Sequence, residues 1–225
     1  MKQLLQIGFI LALAAGAWAA TPVVVSQSVG RVGDRVITSR EVQISAVLDR
    51  ILFPTKEAKS LGGLYEVRLG QAAMMNEVTA LLLEVVVDRE AESFSVAKIS
   101  DDQVREAQRK VEKVVESKAY WQSLEVGATE LKRFVVQKLT AKAFIQFKTN
   151  SMAGIISDAE ALAYYEKNRL RFGDVPFSSF KDNIKTFLAQ QQLEERTRAW
   201  FEIIKRKYKV RNILAENLNN KMEPQ

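Results

Sequence analysis

The chain has 225 residues, 47% of them hydrophobic, and contains neither cysteine nor histidine. This length suits one domain, and the hydrophobic fraction can fill a core without the help of disulfide bonds. The 33 basic and 27 acidic residues leave a formal net charge of +6 and are intermixed, so no basic run indicates a nucleic-acid-binding surface.

The lack of histidine and cysteine narrows the chemistry open to the protein. It excludes imidazole general bases, thiol nucleophiles, Ser-His-Asp triads and the usual zinc and copper ligands. The sequence also has no Gly-rich phosphate loop. Carboxylate pairs such as Asp101-Asp102 and Glu194-Glu195 are explained by helix capping and solvation. We therefore expect no enzymatic activity, no cofactor and no metal.

Residues 1–19 have the features of a cleavable export signal. Lys2 is basic, residues 4–15 form an apolar run, and Ala-Trp-Ala at 17–19 is a small-x-small cleavage site. The apolar run is shorter than the roughly 20 residues that a membrane-spanning helix needs. The sequence therefore predicts a periplasmic protein without a stable membrane anchor, with release from the cell as the alternative. Residues 20–28 are interpreted as a linker.

Residues 29–41 predict a β-hairpin followed by the start of a helix. The pair Gly33-Asp34 lies between two valine-rich segments and supplies the positive φ that a two-residue hairpin turn requires. Thr38 precedes Glu41 by three residues, which is the spacing of a helix capping box.

The rest of the chain is predicted to be helical, because apolar residues recur every three or four positions. A polar connection over 54–63 leads to a long helix over about 64–94. Three more helices follow, and their expected capping residues are Ser100 with Gln103, Thr129, and Ser157 with Glu160. A last long helix is expected over about 179–207.

The segment 208–213 alternates between apolar and polar residues, as a half-buried strand does. A lone strand has no partner, so we expect it to pair with the N-terminal hairpin. Residues 215–225 are polar, and we expect a disordered tail there. The predicted fold class is mostly α: a bundle of five to six helices with a small β-sheet formed by the N-terminal hairpin and the C-terminal strand, in one domain over 29–214.

Three stretches of the sequence resemble the chaperone domain of the SurA family of periplasmic chaperones. Segment 29–41 resembles the start of that domain. Segment 156–172, with Ile-Ser-Asp-Ala-Glu, Tyr-Tyr, Asn and Phe, resembles the part that precedes the parvulin-type prolyl isomerase domain, and segment 180–213 resembles the part that follows it. Only residues 173–179 lie between these two parts, which is too short for a domain. The resemblance therefore implies a SurA-like chaperone domain that lacks the isomerase domain.

This resemblance implies an ATP-independent periplasmic chaperone that holds unfolded exported proteins of the outer-membrane type in an apolar groove, without prolyl isomerase activity. Its expected partners are unfolded or partly folded exported polypeptides, together with the outer-membrane assembly machinery, and not nucleic acid. The alternative is an envelope assembly or adaptor protein that binds one dedicated partner, since that function also needs an exposed apolar groove.

Methionine and aromatic side chains are the expected lining of such a groove, because both are common at adaptable binding surfaces. The candidate client-binding residues are Phe53, Tyr65, Met74, Met75, Tyr120 and Trp121. The helical periodicity favours a core position for Met74 and Met75. Phe53, Tyr65 and Trp121 lie in or beside predicted loops, so we expect these three side chains to be exposed.

Overall fold

The computed structural model of the protein describes residues 26–54, 66–95 and 98–222. Within these ranges the chain forms nine helices and one three-stranded antiparallel sheet. The helices are α1 (Ser39–Leu52), α2 (Ala72–Phe94), α3 (Asp101–Val115), α4 (Ala119–Ser123), α5 (Ala128–Met152), α6 (Asp158–Lys167), α7 (Arg169–Phe172), α8 (Phe177–Lys207) and α9 (Ile213–Met222). The strands are β1 (Ser28–Val32), β2 (Arg35–Thr38) and β3 (Val210–Arg211).

The predicted fold class is confirmed: the described chain is mostly helical and has a small sheet. It contains more helices than the five to six expected, because the short helices α4 and α7 and the C-terminal helix α9 were not foreseen. The predicted export signal and its cleavage site lie outside the described residues.

The sheet joins the two ends of the described chain. Its strand order is β2-β1-β3, with both neighbours antiparallel to the central β1. Gly33 has φ +58° in the turn between β1 and β2, as the sequence predicts. The C-terminal strand pairs with the hairpin as expected, but it is shorter than 208–213. Tyr208 and Lys209 instead form the turn that ends α8, where the Tyr208 amide donates to the Ile204 carbonyl at 3.0 Å.

Local sequence signals account for most helix starts. Thr38, Ser100 and Ser157 each form the predicted capping box with the residue three positions later. The start of α5 differs from the prediction, because Gly127 is its N-cap and Thr129 lies within the first turn. The start of α2 is also later than predicted: Gly70 has φ +87° in the turn that precedes the helix.

The expected disordered tail over 215–225 is corrected by the structure, which has α9 through residue 222. Asn212 starts this helix, because its side-chain oxygen accepts from the Ala215 amide at 3.0 Å. Leu214 packs against the buried core, and Arg211 forms an ion pair with Glu216. One cap, one apolar contact and one ion pair thus hold a segment whose composition is polar. Residues 223–225 lie outside the described residues.

The helical bundle has two main hydrophobic cores. The first core lies between the sheet, α2, the second half of α5 and the end of α8, and it contains Trp200. The second core lies between α1, α3 and the first half of α5. Helix α1 contributes to both cores, with Val42 and Ala46 in the first and Ile44 and Leu48 in the second.

A buried lysine lies where α1, α2 and α5 meet. The Lys138 side chain is fully buried, and its ammonium group lies 2.6 Å from Glu84 Oε2 and 2.7 Å from Asp49 Oδ2. It also donates to Ser45 Oγ at 2.9 Å. Burial raises the pKa of Glu84, and the charge of Lys138 opposes this effect. The three helices are therefore joined at this point by ion pairs and a hydrogen bond to one buried ammonium group.

We expect Lys138→Met to lower the free energy of unfolding by about 3 kcal/mol, because the change leaves two carboxylates without their cation. Lys142→Met is the matched control: it lies one turn later on α5, is exposed, and should change the value by less than about 1 kcal/mol. Adding Glu84→Gln to Lys138→Met should restore part of the loss. Urea unfolding checks all three, and equal effects of the two lysine variants would contradict the role given to Lys138.

Candidate functional site

Residues 158–188 form a third packing unit, which we call the aromatic lobe: α6, α7 and the first part of α8. The Ser157 capping box starts α6, and the Asn168 side chain donates to the Tyr164 carbonyl near its end. Gly173 has φ +57° and reverses the chain, and Pro176 is the N-cap of α8. The turn is held by the Tyr165 hydroxyl, which donates to the Val175 carbonyl at 2.6 Å.

The core of the aromatic lobe is small. Its fully packed centre consists of Ala161, Tyr165 and Ile184, and the side chains around this centre are only partly buried. Most of them are aromatic: Tyr164, Phe172, Phe177 and Phe180, with Leu188 beside them. Three buried side chains give little apolar burial for a segment of this length, so the lobe keeps aromatic surface in contact with water.

Neighbouring rings in the lobe pack against one another. The ring centroids of Tyr165 and Phe172 are 5.0 Å apart, and those of Phe172 and Phe180 are also 5.0 Å apart. Tyr164 lies 5.6 Å from Phe187, whose side chain is 51% exposed. The rings thus form a continuous row from Tyr165 through Phe172 and Tyr164 to solvent at Phe187.

Large exposed apolar side chains are concentrated in and next to this lobe. Of the eleven that the described residues expose, five lie between 155 and 187. They are Ile155, Leu162, Leu170, Val175 and Phe187, and Leu170 is completely exposed. Single exposed apolar residues are ordinary on protein surfaces, but a concentration of them indicates a binding surface.

An ion-pair bridge fixes the two long helices of the lobe to each other. Asp158 at the start of α6 lies 2.5 Å from Lys181 Nζ and 2.8 Å from Lys185 Nζ, both on α8. Hydrogen bonds from Lys181 and Lys185 lower the pKa of Asp158 to about 2. The group is exposed, so we assign it a role in orientation more than in stability.

A second candidate is a cavity of about 800 Å³ between α2 and α5. Its walls carry cations from several elements and two carboxylates one helical turn apart on α2, and Gln137 lies at its side. The charged lining residues are Arg35, Asp88, Glu92, Lys98, Lys132 and Arg133. The same lining also includes the apolar side chains of Ala91 and Val136.

Asp88 is the most perturbed group of this cavity. Burial, and then the charges of Glu92 and Glu84, raise the pKa of Asp88 to about 6. No cation lies within ion-pair distance of Asp88 in the described chain, although Arg35 partly opposes the shift. Across the same residues, no group of three metal-ligating side chains occurs.

The residues that the sequence predicts for a client-binding groove differ in how deeply they are buried and in what they contact. Met74 is fully buried in the first core, so it is removed from the candidate groove. Met75 is half-buried. Phe53 is also half-buried, beneath Lys142 Nζ at 5.3 Å from its ring centroid. Tyr65 lies outside the described residues.

Tyr120 and Trp121 lie together at the edge of the second core, and both are half-buried. The Tyr120 hydroxyl contacts the backbone of Val67 at 3.4 Å, and burial raises the pKa of Tyr120. Trp121 lines a shallow cavity with charged residues of α3. Phe53 and Trp121 are less exposed than the sequence predicts, because each packs against a neighbouring helix.

Sequence reasoning missed the aromatic lobe as a surface. The signal was the density of rings: six aromatic residues lie within 164–187. Helical spacing by itself favours burial, but of these six side chains only Tyr165 is buried in the structure, and the other five are partly buried or exposed.

Comparisons of the chain with protein-family models, curated proteins and solved structures found no match. The resemblance to SurA therefore stays a prediction from the sequence. Among the helices of the described residues, none combines the length and apolar composition needed to cross a membrane.

The shifted Asp88 predicts a pH-dependent stability. Because its pKa rises from 3.8 unfolded to about 6 folded, the folded state binds the proton more tightly, and stability falls as the pH rises through this interval. Because asparagine does not ionise, the Asp88→Asn variant should not lose stability as the pH rises through this interval. The variant should exceed the wild type by about 1 kcal/mol above pH 6, after allowance for solvent screening, and match it near pH 4.

Urea unfolding at both pH values checks this expectation. Asp174→Asn, at an exposed carboxylate in the turn before α8, controls for the loss of one negative charge. A benefit of Asp88→Asn that is equal at both pH values would contradict the assigned shift.

Proposed function

We propose that this protein is an ATP-independent chaperone that holds unfolded exported polypeptides in the periplasm, and that it is a SurA-like chaperone domain without an isomerase domain. The observation that carries the proposal is the aromatic lobe, which exposes large apolar side chains around a core of three buried residues. Such a surface can bury apolar segments of a client without any conformational change driven by a nucleotide.

The energetics suit weak and reversible binding. Covering one exposed leucine or phenylalanine contributes about 1.5–3 kcal/mol at most, and part of that is offset by ordering of the client. A few such contacts give modest affinity, which lets a client leave unaided. Partly buried aromatic rings add contact area at low entropic cost, so the surface can accept unrelated apolar sequences.

The arrangement of the elements on which the resemblance rests supports the proposal. The hairpin and β3 form one sheet at the ends of the described chain, and α6 begins at the Ser157 capping box. At the position that the resemblance assigns to an isomerase domain, the chain has a turn, Gly173 to Pro176, between α7 and α8. The sequence segments on which the resemblance rests form the hairpin, β3 and the start of α6, and they flank this turn.

Replacing Leu170 and Phe187 together by serine should weaken client holding by roughly tenfold, because two exposed apolar contacts are lost. The measurement is light scattering from an unfolded β-barrel protein diluted out of urea in the presence of each variant. The melting temperature should change little, since Leu170 is fully exposed and Phe187 about half exposed, at 51%.

Phe147→Ser is the matched control, since Phe147 is 47% exposed on α5 and lies outside the lobe. Trp121→Ser in the same assay tests the groove predicted from the sequence. Equal loss in Phe147→Ser would show that the lobe has no special role, and an unchanged double variant would exclude it as the holding surface. Saturable capture of a single partner would favour the adaptor alternative.

The protein should not accelerate isomerisation of Xaa-Pro bonds. The chain contains no histidine, and the turn that ends at Pro176 leaves no room for an isomerase domain. Uncatalysed isomerisation takes tens of seconds or longer, so even weak catalysis is visible in a peptide assay. A rate above the uncatalysed one would contradict the proposed domain composition.

A further inference from the structure

Five basic residues surround one cavity of about 450 Å³ at the sheet. It forms where the hairpin turn, the last part of α2 and the segment after α8 meet, so three distant parts of the chain supply its walls. The basic residues are Arg31, Arg89, Lys207, Lys209 and Arg211, and Asp34 is the one acidic residue in the lining.

Two of these cations have carboxylate partners. Lys207 Nζ lies 2.5 Å from the buried Glu90, and Arg211 binds Glu216 through two nitrogens. The other three, Arg31, Arg89 and Lys209, have no ion pair among the described residues. With Glu90 and Glu216 counted, the cavity and its immediate neighbours keep two positive charges in excess.

The local structure is unfavourable at two of the unpaired cations. Arg31 stands directly opposite Arg211 in the β1–β3 pair, and like charges in that arrangement repel each other. Lys209 has φ +51° at the end of α8, a position at which glycine is the least strained residue. Both residues therefore lower the stability of the free protein while they add positive charge to the cavity.

Arg89 is held in place by a backbone carbonyl. Its Nη1 donates to the Val32 carbonyl at 3.2 Å, which fixes the guanidinium beside the hairpin turn. A guanidinium has five N–H donors, so others remain available to an anion. An arginine held by a backbone carbonyl, in one cavity with two further unpaired cations, suits the tetrahedral oxygens of a phosphoryl group.

We propose that this cavity binds a phosphoryl group. The excess of two positive charges suits the one or two negative charges of a phosphoryl group, and its several oxygens can accept hydrogen bonds from more than one of the unpaired cations. The volume exceeds that of one phosphate, so a phosphate ester or a phospholipid headgroup also fits. This site is separate from the aromatic lobe and does not depend on the chaperone proposal.

The test measures the melting temperature of the mature protein in increasing inorganic phosphate, with chloride at matched ionic strength as the reference. A ligand that binds the folded state raises the melting temperature with a saturable dependence on its concentration.

The variants are Arg31→Gln and Lys209→Gly. Each should keep or raise the melting temperature without phosphate, and each should weaken phosphate binding by roughly tenfold, because one charge-assisted contact is lost.

Lys167→Gln on α6 is the control, because it removes one exposed charge far along the chain from the cavity and should keep the full phosphate response.

A second arm measures co-sedimentation with phosphatidylglycerol vesicles against phosphatidylcholine vesicles. Phosphate-specific stabilisation without vesicle binding indicates a soluble ligand, and vesicle binding that both cavity variants lose indicates a headgroup. The proposal is overturned if neither probe binds, or if the control and the cavity variants respond alike.

Discussion

The Lys138 ammonium group is completely buried between three helices, and much of the remaining architecture follows from keeping it compensated. An isolated buried charge costs several kcal/mol, so α1, α2 and α5 must keep Ser45, Asp49 and Glu84 within hydrogen-bond distance of it. Ser45 and Asp49 lie on the face of α1 between its two apolar faces, so this polar cluster adjoins both main cores. It reaches the charged cavity through Gln137, which donates to Glu84 at 2.6 Å.

Helix α8 connects this rigid part to the aromatic lobe. Its C-terminal part packs into the first core through Trp200 and Ile204, and its N-terminal part packs with α6 through Ile184. The lobe has few buried apolar side chains, which is the property of segments that open locally at low free energy. The proposed function makes use of this difference: the cores give the chain its stability, and the lobe leaves apolar surface for another polypeptide.

The candidate client-binding residues and the aromatic lobe show that helical periodicity alone does not predict which side chains are buried. The spacing of apolar residues identifies the face of a helix that can be buried, but it does not tell whether a neighbour covers that face. Met74 was a candidate client-binding residue for which the periodicity favoured the core, and it is buried, while Phe187 stands at a helical position that suits burial and is half exposed. Trp121, next to a predicted loop, packs at the edge of the second core because α3 and α5 meet there. These outcomes depend on contacts between distant segments.

The sequence by itself determined the elements whose causes lie within a few residues: the three Ser/Thr capping boxes, the Gly33 turn, the amphipathic helices and the mostly helical class. The strand pairing of the two ends also followed, because an isolated strand needs a partner. Only the tertiary structure decided that Lys138 meets Glu84 across 54 residues, and that Arg31, Arg89 and Lys209 surround one cavity. Local hydrogen bonds and turn geometry are encoded in neighbouring residues, whereas burial and charge clustering arise only when distant helices pack.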